Sequence, residues 1–109
     1  MQEEIEKLYG DRMSQLTNKE LIILYAVILE LSKNVRQEAY ITGDKNLFMK
    51  KLKNIGSIEV ENEETGETIK IRQKYIMKAF NKFKKIRLLE MDQDGLPLFF
   101  PDVIPLSHI

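Results

Sequence analysis

Cysteine is absent from this 109-residue sequence, and its single histidine, His108, is the next-to-last residue. Without cysteine, a disulfide framework and a thiolate metal site are both excluded. The end of a chain is a poor position for a preorganised catalytic base. The five glycines are scattered, which leaves no glycine-rich loop for phosphate binding. These absences predict a protein that is not an enzyme and that binds neither a metal ion nor a cofactor.

A long hydrophobic run is also lacking. The longest one, residues 21–29, is far too short to cross a bilayer. The N-terminal sequence is polar and acidic and carries no secretory signal. We therefore expect a cytoplasmic protein that has no membrane contact.

An excess of one charge is lacking too, because 17 basic side chains balance 17 acidic ones. This balance argues against a nucleic-acid-binding protein that is basic as a whole. The charges are nevertheless unevenly placed: residues 1–66 contain 9 basic and 12 acidic side chains, whereas residues 67–109 contain 8 and 5. Because binding depends on the local field, a neutral total is compatible with one basic surface.

Capping and turn signals predict a single α+β domain over residues 1–109, with helices around a buried central helix and with two β-hairpins. Thr17 and Glu20 form a capping box before a segment that is apolar on nearly every side, which predicts a buried helix over residues 16–32. We expect Asn34 to end this helix in the left-handed conformation.

The flanking segments are less regular. We expect residues 1–15 to form an N-terminal helical arm. We expect residues 101–109, which are apolar, to form a C-terminal tail. Residues 35–42 fit either a short helix or an extended link. Asp44 is then expected to cap a second helix over residues 45–54.

Alternating apolar and polar residues predict two hairpins. Residues 57–71 form the first, with an acidic tip that contains Thr65 and Gly66 at the turn. The second turns at residues 92–95, Asp-Gln-Asp-Gly, which is a strong hairpin signal. Pro97 lacks a backbone N–H and therefore indicates an edge strand.

Residues 72–87 predict one amphipathic helix with a basic outer face. Residues 68–89 contain eight basic side chains and no acidic one. Amphipathic helices commonly carry charge outward simply because that face is solvated. The absence of acids at i+4 and the basic N-terminus favour a surface that binds phosphates instead. At about 100° per residue, the inward face consists of Ile76, Ala79, Phe80, Phe83 and Ile86.

The order of these elements resembles the winged helix-turn-helix superfamily of DNA-binding proteins. LTNKELIILYAVI matches the first helix, TIKIRQKYIMKAFNKFKKI the strand and recognition helix, and RLLEMDQDGLPLFF the wing. The resemblance covers residues 16–100. It implies duplex DNA binding by a small transcriptional regulator or a plasmid or phage replication accessory protein, with helix 72–87 in the major groove. The DNA-binding residues that it implies are Arg72, Gln73, Lys74, Lys78, Asn81, Lys82, Lys84 and Lys85.

Two features differ from that family's pattern. The wing turn carries Asp92 and Asp94 where Arg or Lys is usual, and the acidic hairpin separates the second helix from the third. They favour an alternative function, a protein–protein interaction module with a winged-helix-like fold and no DNA binding. If the chain binds DNA, we expect a homodimer, because a lone domain with few basic contacts binds modestly. Its possible dimer contacts are Ile5, Leu8, Tyr9, Val103 and Ile104.

Overall fold

A computed structural model describes residues 10–99 of the chain and shows an α+β fold. The first long helix, α1, is continuous, with α-helical segments Asn18–Ile22 and Glu30–Thr42 on either side of the π-helical segment Ile23–Leu29. Helix α2 spans Leu47–Lys53, and helix α3 spans Gln73–Lys85. The predicted α+β class is therefore confirmed.

The strands form two separate antiparallel hairpins. In the first, β1 (Ile58–Glu61) pairs with β2 (Thr68–Ile71), and Val60 lies opposite Ile69. In the second, β3 (Leu89–Met91) pairs with β4 (Pro97–Phe99). Both hairpins lie where the sequence predicts them, and the position of Pro97 on an edge strand is confirmed.

The start of α1 is confirmed in detail, but its end is not. The Thr17 hydroxyl accepts a hydrogen bond from the Glu20 amide at 3.2 Å, and Glu20 Oε1 accepts one from the Thr17 amide at 2.8 Å. The expected stop at Asn34 is wrong, because α1 continues to Gly43, which adopts the left-handed conformation with φ 67°. Burial of Val35 and Ala39 favours this continuation, since tertiary packing overrides a weak local preference.

Two further expectations about α1 and α2 need correction. The apolar segment at the centre of α1 is not enclosed on every side, because Tyr25 is 51% exposed. Helix α2 begins two residues later than predicted, and its N-cap position is Asn46. Asp44 instead accepts a hydrogen bond from the Asn46 amide at 2.9 Å and pairs with Lys50 at 3.1 Å. It therefore shapes the turn that precedes the helix.

Helix α3 contributes the centre of the hydrophobic core. Phe80 and Phe83 are completely buried, and the Phe80 ring lies 5.8 Å from that of Phe48 on α2. A Schellman motif ends the helix: the Leu88 amide donates to the Phe83 carbonyl at 2.9 Å, and the Arg87 amide donates to the Lys84 carbonyl at 3.1 Å. Arg87, the residue of this motif in the left-handed conformation, has φ 62°. The predicted inward face of the helix is confirmed for Ile76, Ala79, Phe80 and Phe83, which are buried, and Ile86 is half-buried.

The turn of the second hairpin is packed against the body. Gly95 has φ 74°, and a Cβ atom placed there would collide with the backbone carbonyl of Lys45 in the turn between α1 and α2. Gly66, in the turn of the first hairpin, has nearly the same φ of 73° but no heavy atom near that position. The two glycines share one backbone requirement and differ in their surroundings.

This difference predicts unequal effects of substitution by alanine. Gly66→Ala should cost about 1–2 kcal/mol of unfolding free energy, because a Cβ disfavours the left-handed conformation. Gly95→Ala should cost a further 1–3 kcal/mol, roughly, because the turn must move away from Lys45. Urea unfolding of both variants measures the difference. Equal losses would contradict the packing of the second hairpin against the turn at Lys45.

Candidate nucleic-acid interface

The outer face of α3 consists of Lys74, Lys78, Asn81 and Lys85, all of which are exposed. Their spacing of four, three and four residues places them in one row along the helix. The buried side chains of α3 lie on the opposite side, so the row faces away from the core. Three cationic side chains and one amide thus share one solvent-facing surface.

The charge on this outer face is largely uncompensated. Within residues 10–99, the acidic partners of the four ion pairs are Glu20, Asp44, Glu38 and Glu90. None of the lysines in the row takes part in these pairs. The Lys74 ammonium lies 5.2 Å from the centroid of the Tyr75 ring. Contact with an uncharged ring does not neutralise the ammonium. The row therefore presents a positive field to an approaching anion.

Gln73 is directed into the molecule rather than along the outer face. Its Nε2 donates a hydrogen bond to the Leu52 carbonyl at 3.0 Å, and the side chain is half-buried. The bond joins the first turn of α3 to the end of α2. The structure thus makes Gln73 a residue that positions α3, whereas the sequence predicts it to contact DNA.

Lys82 is also engaged within the molecule. Its ammonium donates to Glu20 Oε1 and to the Gln15 carbonyl, both at 2.8 Å, and its side chain is 34% exposed. Glu20 Oε1 is the same atom that accepts the Thr17 amide in the capping box. One carboxylate thus caps α1 and holds α3 against it, which takes Lys82 out of the row of exposed lysines.

The environment of Glu20 shifts its titration. Burial raises the pKa of Glu20, since desolvation disfavours the charged form, but the hydrogen bonds and charge of Lys82 together with the donors of Thr17 outweigh burial. The pKa of Glu20 therefore lies below its ordinary value of 4.5. The carboxylate stays charged at neutral pH, and the Lys82 contact stays in place.

A shallow cleft lies between the start of α1 and α3. Its volume is about 180 Å³, and its lining includes Lys19, Tyr75 and Lys78. The Lys19 ammonium lies 4.7 Å from the centroid of the Tyr75 ring. Sequence reasoning missed Lys19, because only the packing of α1 beside α3 brings this lysine next to the row.

The remaining predicted site residues lie near the ends of α3. Arg72 occupies the N-cap position and is exposed. The Lys84 ammonium lies 5.0 Å from the centroid of the Phe80 ring, one helical turn earlier. Arg87 follows α3 and is not among the predicted site residues; its backbone carbonyl accepts a hydrogen bond from Arg12 Nε at 3.3 Å. The possible dimer contacts Ile5, Leu8, Tyr9, Val103 and Ile104 lie outside the described residues, as does His108.

Comparison with known proteins found no family model, no curated protein and no solved structure that matches this chain. Among residues 10–99, no cluster of three or more His, Cys, Asp or Glu side chains is arranged to bind a metal ion. The helices of that part of the chain include none that is long and apolar enough to cross a membrane.

The Glu20–Lys82 pair predicts a pH-dependent stability. Glu20→Gln retains an acceptor for the capping box and removes only the charge. Because the folded pKa of Glu20 is lowered, its charge stabilises the fold above about pH 4.5, and this contribution is lost as pH falls through the folded pKa. We expect the variant to be less stable by up to about 1 kcal/mol near neutral pH, with the difference closing in acid.

Urea unfolding of both proteins over a pH series measures this difference. Glu38→Gln is the matched control, because Glu38 forms an exposed pair with Lys51 at 3.4 Å, with 51% and 44% of the two side chains exposed. We expect a smaller effect from the control, since exposed pairs contribute little. A Glu20→Gln difference that is independent of pH would contradict the role given to the carboxylate charge.

Proposed function

We propose that this chain is a winged-helix-like protein that binds duplex DNA by inserting α3 into the major groove, as a small transcriptional regulator or a replication accessory protein. The observation that carries the proposal is the outer face of α3, where Lys74, Lys78 and Lys85 are exposed and unpaired by acids of residues 10–99. An α-helix fits the width of the major groove. This function requires no catalytic group, metal ion or cofactor.

The order and packing of the elements support a winged-helix-like arrangement. Helices α1 and α2 precede α3, and the β3–β4 hairpin follows it. The hydrogen bond from Gln73 to Leu52 holds the start of α3 at the end of α2. In a helix-turn-helix, the helix that reads DNA is braced by the helix before it. Here the two braced helices are separated in sequence by the β1–β2 hairpin.

The side chains of the outer face make two kinds of contact with DNA, to a base edge and to phosphates. Asn81 lies within the row, and an amide side chain forms two hydrogen bonds to an adenine edge in the major groove. Lys74, Lys78 and Lys85 contact phosphates, which supplies most of the affinity. Lys19 extends the phosphate-binding surface onto the start of α1, beside Tyr75.

The β3–β4 turn contributes little to this proposed DNA contact. Asp92 Oδ1 accepts hydrogen bonds from the amides of Asp94 and Leu96, at 2.8 and 3.0 Å, so its charge serves the turn itself. Gly95 lies against the backbone of Lys45. With the turn held there, α3 provides the main contact, and we propose that two copies act together to bind tightly.

A second candidate function is protein–protein interaction without DNA binding. The β1–β2 hairpin favours it, because every residue from 61 to 68 is exposed and its acidic side chains form no ion pair within residues 10–99. This candidate predicts a stable complex with a specific protein and no complex with duplex DNA at low salt.

Duplex DNA binding across a salt series tests the leading proposal. The logarithm of the binding constant should fall with the logarithm of salt concentration, with a slope of about −0.9 for each neutralised phosphate. Lys74→Ala/Lys78→Ala/Lys85→Ala should weaken binding and make that slope shallower by about 2.7, because three phosphate contacts are lost. Fluorescence anisotropy of a labelled duplex provides the binding constants.

The matched control is Lys33→Ala/Lys45→Ala/Lys51→Ala, which removes the same number of exposed positive charges from α1, α2 and the turn between them. The control should retain nearly the wild-type slope. Absence of wild-type binding at low salt would refute the DNA-binding proposal. Equal losses in both triple variants would show that net charge, rather than α3, supplies the binding.

Substitutions of Lys78 and Lys82 should affect different properties, DNA binding for Lys78 and stability for Lys82. Lys82→Met removes the pair with Glu20 and should lower the melting temperature by a few degrees, since about 1 kcal/mol corresponds to a shift of 4–8 °C in a domain of this size. Lys78→Met should leave the melting temperature nearly unchanged and weaken DNA binding. Thermal unfolding and anisotropy measure the two effects. The reverse pattern would show that Lys82, not Lys78, faces the DNA.

A further inference from the structure

The β1–β2 hairpin, residues 58–71, forms an acidic ribbon whose turn region, residues 61–68, is exposed throughout. Five glutamates and one lysine lie on it, and all six side chains are exposed. The glutamates are Glu59, Glu61, Glu63, Glu64 and Glu67. This ribbon carries the densest negative charge within residues 10–99.

The ribbon is anchored to the core by Ile58, Ile69 and Ile71, and its turn is exposed. Ile71 is completely buried in the core, whereas its cross-strand partner Ile58 is half-buried. The next apolar pair, Val60 and Ile69, is also half-buried, and the turn beyond it is exposed. The sheet contains only these two strands, so both of its outer edges are unpaired within the described part of the chain. A two-stranded ribbon is marginal alone and gains stability from being covered.

The outer face of α3 is the complement of this ribbon in charge and in length. From Lys74 to Lys85 the face extends about 16 Å, at 1.5 Å per residue. Strand β1 extends about 10 Å from Ile58 to Glu61, and the turn beyond it lengthens the ribbon further. A positive row and a negative ribbon of similar length therefore occur on one chain whose net charge is zero.

The two surfaces do not meet within one molecule. Arg72 alone separates β2 from α3, so the ribbon and the helix lead away from the same point. No ion pair joins a ribbon glutamate to a lysine of α3 in the described residues. A ribbon that contacts the row must therefore belong to another copy.

We propose that the acidic ribbon of one copy docks on the outer face of α3 of a second copy. The contact is heterologous, because each copy uses one surface of each kind, and repetition extends the assembly or closes it into a ring. This self-association depends only on the two charged surfaces and does not require that α3 binds DNA. If α3 binds DNA as proposed above, the ribbon and DNA compete for the same lysines.

Sedimentation velocity of the full chain tests this association. The weight-average mass should rise with protein concentration at about 0.05 M salt and fall toward the monomer value at about 0.5 M, where charges are screened within a few ångströms. Glu61→Gln/Glu63→Gln/Glu64→Gln should lower the association constant at least about tenfold, because three ion pairs are lost. Asp11→Asn/Glu30→Gln/Glu38→Gln changes net charge equally outside the ribbon and should associate like the wild type.

A charge exchange identifies the two surfaces as partners. Glu61→Lys/Glu63→Lys/Glu64→Lys and Lys74→Glu/Lys78→Glu/Lys85→Glu should each be monomeric alone, since ribbon and helix then repel one another. An equimolar mixture of these two variants should associate again. Circular dichroism checks that both variants remain folded, and all six substituted side chains are exposed.

Three results would overturn the proposed self-association. The wild type could remain monomeric at low salt at every concentration. The ribbon and control triples could weaken association equally, or the mixed variants could fail to associate. These outcomes are independent of the DNA measurements, because a monomeric wild type that binds DNA through α3 would refute the association and retain the proposed function.

Discussion

Burial of Phe80 and Phe83 fixes the rotation of α3 about its own axis, and the character of the molecule's surface depends on that constraint. Both rings are completely enclosed, and Phe80 contacts Phe48 of α2. Turning the helix would expose these rings, at a cost of roughly 1.5–3 kcal/mol each for lost burial. The positions of Lys74, Lys78 and Lys85 follow from that packing, because they lie opposite the buried side of the same helix. The packing of Phe80 and Phe83 in the core therefore determines which way the positive charge of α3 faces.

Hydrogen bonds to neighbouring helices then set the tilt and position of α3. Gln73 ties its first turn to Leu52, and Lys82 ties its last turns to Glu20 and Gln15. Gln73 and Lys82 were predicted to bind DNA together with the exposed lysines, but both form hydrogen bonds within the molecule. The charge available to a ligand is therefore smaller than the number of basic residues in the sequence. The positive charge on the outer face of α3 also has a fixed direction, because a helix held by its neighbours presents its side chains in fixed positions.

Local signals predicted much of this arrangement. The capping box, the two hairpins and the inward face of α3 depend on residues close in sequence, and all three are confirmed. The inward roles of Gln73 and Lys82 were not predictable in that way, because their partners lie 21 and 62 residues away. The end of α1 was missed for a related reason: Asn34 is a plausible local stop, but burial of Val35 favours continuation. Long-range packing decided each of these cases.

Competition between the acidic ribbon and DNA for α3 would not be an even one. Duplex DNA carries one charge per 1.7 Å of axis, so the length of the outer face of α3 lies beside about nine phosphate charges. The ribbon offers five glutamates spread over both strands and the turn. DNA also gains free energy from the release of condensed counterions, which a short protein ribbon does not have. Both contacts weaken with salt, but at any one salt concentration the denser polyanion binds more strongly. The ribbon would thus occupy α3 only while DNA is scarce, and DNA binding would release the ribbon of one copy from α3 of the next.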